Sequence, residues 1–145
     1  MENSKEHSQY TLAFQATTHC LTGCGVGDIV GVIIGTLLGL PYISRIIVGV
    51  LLGFIFGFLL GILPLVRTRI SYMQAARIVL TTELLSILVM EAAEATTELV
   101  FPGMRRLGLL HIRYWIGLFI ALIAGFIVAF PVNLLLVKRG IRHHH

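Results

Sequence analysis

The sequence predicts an all-α integral membrane protein with four transmembrane helices, and three observations carry that prediction. Hydrophobic residues make up 57% of the 145 and charged residues 12%, with a mean hydropathy of +0.91. Soluble domains carry about a quarter charged residues. The apolar residues run in long stretches, of the roughly 18 or more that a membrane crossing needs. The cationic residues collect where those stretches end: Arg45, Arg67, Arg69, Arg105, Arg106, Arg113, Lys138, Arg139 and Arg142. Cations at span ends anchor and orient helices at an interface, so the pI of 9.5 does not point to nucleic acid.

The first span is expected over 17–40, closed by Pro41. The apolar character begins earlier, at Tyr10, and the whole stretch exceeds one straight crossing. Either "YTLAFQATTH" lies along the interface as an amphipathic lead-in, or the helix breaks at Gly23-Cys24-Gly25, where freed backbone would line a polar cavity. The second span covers 44–63 and Pro64 closes it; the third covers 77–101 and stops at Pro102-Gly103. The fourth covers 114–137, with Pro131 as a kink. Near its end, Pro131 and Asn133 read as helix packing, and His111 with Trp115 reads as an interfacial anchor. All of 1–145 forms one membrane domain, with 143–145 either a tag remnant or a native tail.

Four spans put both termini on one side. Cytoplasmic termini place Lys5, Arg67, Arg69, Arg77, Lys138, Arg139 and Arg142 inside and leave Arg45, Arg105, Arg106 and Arg113 outside, as the positive-inside rule favours. The polar opening "MENSKEHSQ" has no signal-peptide pattern, so the expected location is the cell membrane, multi-pass.

Glycine recurs every fourth residue at Gly23, Gly27, Gly31, Gly35 and Gly39, and again at Gly49, Gly53, Gly57 and Gly61. That spacing leaves a flat groove on which two helices approach closely. The expectation is a first hairpin packed through these faces, and a homo-oligomer built on the same surface.

The third span carries the chain's most costly residues. At about 100° per residue, Glu83, Glu91, Glu94 and Glu98 project at roughly 0°, 80°, 20° and 60°, one narrow stripe. A carboxylate at the bilayer centre costs about 2.5–3.5 kcal/mol, so a set of them needs a partner, water or a task. The first span opens with His19, Cys20, Cys24 and Asp28, of which the last three fall one above another on a helix. Thiolates one turn apart can grip a soft ion such as zinc or copper(I), and methionine and imidazole extend that ligand set. His19 points about 100° away on a regular helix and joins only if the chain bends. The competing reading is that both cysteines are small residues continuing the glycine face.

If the first and third spans begin at similar depths, Asp28 lies near Met90 and Glu91. The candidate metal set is therefore His19, Cys20, Cys24, Asp28, Met90 and Glu91, with Glu83, Glu94 and Glu98 along an ion pathway. "GCGVGD" has neither the preceding strand nor the following lysine of a phosphate loop, and no serine has a triad setting, so no enzyme is expected.

The stretch "HCLTGCGVGD", of the form H-C-x-x-G-C, together with "FPVNLLLVKRG", the acidic third span and its "FPGM" ending, resembles an uncharacterised prokaryotic family of small four-span membrane proteins. The resemblance covers nearly the whole chain and implies four spans, with His19, Cys20, Cys24 and Asp28 as its signature. It implies no activity. The residue chemistry leads instead to a small membrane transporter or permease for a thiophilic metal ion, copper(I) first and zinc or another divalent ion second. The alternative is a non-catalytic accessory subunit of a larger membrane complex.

Overall fold

The computed structural model describes residues 2–140 and is built from four helices with no strand among them: α1 Glu2–Leu37, α2 Tyr42–Arg67, α3 Tyr72–Val100 and α4 Ile112–Lys138. Arg142 and the closing histidines lie outside the described residues. Helices α1, α2 and α4 are each long and apolar enough to cross a membrane. Helix α3 has comparable length, and its acids are what set it apart in composition.

Short links make each helix antiparallel to the next. Residues 38–41 turn α1 into α2 through a Schellman closure. Gly39 takes φ +69° while its N–H donates to Thr36 O and the Leu40 N–H donates to Gly35 O. Residues 68–71 turn α2 into α3, with Arg69 at φ +65° and the Ser71 hydroxyl accepting from the Gln74 N–H as N-cap. The longer link, 101–111, folds back on the bundle: Met104 is fully buried against Gly117, and Trp115 Nε1 donates to Leu109 O at 2.7 Å.

Helix α1 runs unbroken through Gly23-Cys24-Gly25, which corrects the expected break there. At 1.5 Å per residue its 36 residues span about 54 Å against about 30 Å of hydrocarbon. The chain uses that length by packing the early part of α1 along the end of α4. Phe14 meets Phe126 edge-on at 5.6 Å, and Lys138 Nζ sits 5.5 Å above the Tyr10 ring. The glycines do not break the helix because neighbours fill their faces. A methyl added at Gly23 would lie 2.6 Å from Gly57 Cα, and one at Gly25 would lie 3.2 Å from a Leu122 methyl. Helix α2 likewise continues through Pro64 to Arg67 instead of ending there. A proline costs one N–H in the last turn, where the chain is already leaving the helix.

The α1–α2 contact steps by four residues in opposite directions. Added methyls at Gly27 and Gly31 would strike the Gly53 and Gly49 backbone. Three buried clusters then line the interior. Leu65, Ala75 and Val79 close one end; Cys20, Cys24, Ile87, Met90 and Ala129 fill the middle; Val32, Met104, Tyr114 and Leu118 close the other.

Candidate ion site

Helix α3 turns its acids inward and its leucines outward. Glu91, Glu94 and Glu98 are buried, whereas Leu85 and Leu88 on the opposite face are 55% and 51% exposed. Room for the acids comes from glycines on the facing helices. A methyl at Gly125 on α4 would lie 2.5 Å from Glu94 Oε1. One at Gly53 on α2 would collide with Glu91 Oε1, and one at Gly61 would lie 2.6 Å from Glu83 Oε2. Asp28 of α1 stands over Gly49 in the same manner, with Oδ1 3.3 Å from where a methyl would be. Asp28, Glu83, Glu91 and Glu94 therefore each have a glycine opposite them.

Asp28, Glu91 and Glu94 converge. One oxygen from each lies within 4.8 Å of the others, and all three residues are buried. Neither oxygen of Glu91 or Glu94 receives a hydrogen bond. Their nearest polar neighbours are one another, Asp28 and the Cys24 thiol, groups that donate only when they carry a proton. Buried acceptors nearly always have a donor, and buried carboxylates without one are costly. Two such groups converging with the buried Asp28 call for positive charge between them, as a cation or as protons.

The sulfur ligands lie one turn away along α1. The Cys20 and Cys24 Sγ atoms are 3.9 Å apart and not cross-linked, and the Ser86 hydroxyl lies 3.9 Å from the Cys20 Sγ. Met90, fully buried, packs in the same cluster. A metal about 2.3 Å from both sulfurs would subtend an S–M–S angle of about 116°, open enough for trigonal or tetrahedral coordination.

The remaining candidates separate. His19 is half-buried beside this core and is not one of the three converging ligands. Glu83 lies at the Gly61 level, two turns from Glu91 toward the α3 N-terminus. Glu98 lies one turn beyond Glu94, where the Tyr42 hydroxyl donates to the Glu98 carbonyl at 2.7 Å. Glu94, expected along the pathway, lies directly with Asp28 and Glu91. Sequence reasoning missed the seating glycines of α2 and α4. The available signals were the fourfold glycine spacing of α2 and Gly125 in the apolar run of α4.

The chain belongs to the family described as Domain of unknown function (DUF4396), whose model matches residues 9–142. No curated protein and no solved structure matches it.

Proposed function

We propose that this chain is a four-span membrane protein that passes a divalent, thiophilic metal ion through the interior of its own bundle. The observation that supports this best is the pair of buried glutamates, Glu91 and Glu94, with no donor to either, converging with Asp28 one helical turn from the Cys20–Cys24 thiols. Sulfur captures the ion and oxygen neutralises it: Cys20, Cys24 and Met90 at one level, Asp28, Glu91 and Glu94 at the next, Glu98 beyond. Copper(I) is the first choice on sulfur alone. Three carboxylates beside the thiols move a divalent ion such as zinc ahead of it, because hard oxygen donors and a charge of −3 suit a dication better. His19 assists at most from the margin.

In this reading α3 is the fourth span, its leucine face toward lipid and its acids inside, and the termini are cytoplasmic. The α1 and α2 glycine faces seat the first hairpin, so an oligomer would form through another surface. The accessory-subunit alternative expected the glutamates to meet a partner's basic residues. Glu91 and Glu94 are 3% and 1% exposed, which favours the transporter reading over it.

Elemental mass spectrometry on protein purified with the closing histidines removed tests the site, after separate loading with zinc and copper(I). About one zinc per chain is expected, lost in Glu91→Gln/Glu94→Gln and weakened in Cys20→Ser/Cys24→Ser. A chain that takes up no metal, or an acid double variant that loads like the parent, would overturn the reading.

A further inference from the structure

Helix α4 contributes one buried polar side chain that this ion site does not use. Asn133 is fully buried, and its Nδ2 donates to Thr17 Oγ1 at 2.9 Å. Thr17 is equally buried, and its hydroxyl donates to the Ala13 carbonyl at 2.7 Å. A hydroxyl has one proton, so Thr17 Oγ1 can only accept from Asn133. Turning the amide over would set its oxygen against a hydroxyl lone pair. The amide orientation therefore follows from the network and needs no separate assignment of O and N. Its Oδ1 is thereby left buried with no donor.

The position of this oxygen gives it meaning. Ala129, one turn before Asn133 on α4, packs in the cluster of Cys20, Cys24 and Met90. Thr17 lies three residues before Cys20 on α1, about 4.5 Å of helix rise. The Asn133–Thr17 pair thus lies beyond the thiols on the side away from Asp28, Glu91 and Glu94, toward the end of α3 that carries Glu83. About one turn further along the same helices, Ala13 on α1 and Leu136 and Val137 on α4 are buried apolar residues.

We propose that Asn133 Oδ1 is an outer oxygen station that receives a hydrated cation, accepting a hydrogen bond from one of its water ligands before the ion reaches sulfur. Thr17 is the positioning residue that keeps this oxygen available. Water on a cation is a strengthened donor, which suits a neutral acceptor with no other partner. A neutral amide also does not hold the ion as a carboxylate would, so the ion moves on to the thiols. The inference rests on the preceding reading for its destination, and its test does not require that the protein bind metal.

The full chain carrying Cys24→Ser has Cys20 as its single thiol. The rate at which 2-aminoethyl methanethiosulfonate, a small water-soluble cation, modifies Cys20 is followed by intact mass in metal-free buffer. Asn133→Leu is expected to slow modification roughly tenfold, the scale of one lost charge-assisted hydrogen bond. Thr17→Val is expected to slow it in the same direction, and Thr17→Ser, which keeps the hydroxyl, to react like the parent. A parent thiol that does not react overturns the proposal, as do Asn133→Leu and Thr17→Val variants that react at the parent rate. If elemental analysis finds no metal, the ion-site reading fails while these rates still decide the role of Asn133.

Discussion

The carboxylates of Glu91 and Glu94 oppose folding stability and support ligand binding, and that opposition is measurable. With no donor to any of their four oxygens, each carboxyl in the metal-free protein must take up a proton or stay charged without a partner, and an amide of the same shape removes that demand. Glu94→Gln is expected to raise the thermal stability of the metal-free protein, by about 1 kcal/mol or more. The same change is expected to lower zinc affinity at least about tenfold. Thermal unfolding in detergent with and without zinc reads both effects. A variant destabilised in both conditions would mean that Glu94 contributes a structural hydrogen bond instead.

At the level of helices, the glycines divide into two kinds with different expected failures. Gly27 faces backbone, since a methyl there would strike Gly53 Cα and N, so Gly27→Ala must part α1 from α2. The expected cost is about 1–3 kcal/mol, as for other overpacked interiors. Gly125 faces a side chain, Glu94, which can move. Gly125→Ala is therefore expected to displace the carboxylate, leaving stability within about 1 kcal/mol of the parent while metal binding falls. Gly108→Ala, with open space around it, is the neutral control. Thermal unfolding beside zinc titration separates the two kinds. Equal stability losses at positions 27 and 125 would contradict the distinction.

Helix α3 was legible in advance because its acids share one stripe, which any α-helix preserves whatever its neighbours. The convergence of Glu94 with Asp28 was not, because it depends on how far α3 slides along α1, and no residue pattern within one helix reports that shift. Nor was the continuity of α1. Gly23-Cys24-Gly25 looks like a break in isolation, and only the apposed Gly57 and Leu122 reveal these glycines as contact surfaces. Pro64 misled for the opposite reason, because a proline near a helix end costs less than one in the middle.

For the molecule as a whole, these buried polar groups follow one another along the interior: Asn133–Thr17, then Cys20–Cys24, then Asp28–Glu91–Glu94, then Glu98 beside Tyr42, with Glu83 toward the first end. From Ser86 to Glu98 the α3 share of that series rises about 18 Å, more than half of a bilayer's hydrocarbon thickness of about 30 Å. Apolar clusters cover both ends, so transport would require the ends to open in turn. The most direct measurement of the central claim is zinc entry into liposomes containing the purified chain, read by an indicator trapped inside. The predicted result is saturable uptake, reduced at least about tenfold by Glu91→Gln/Glu94→Gln and unaffected by Gly108→Ala. Zinc entry no faster than in protein-free liposomes, or equal in parent and acid variant, would contradict it.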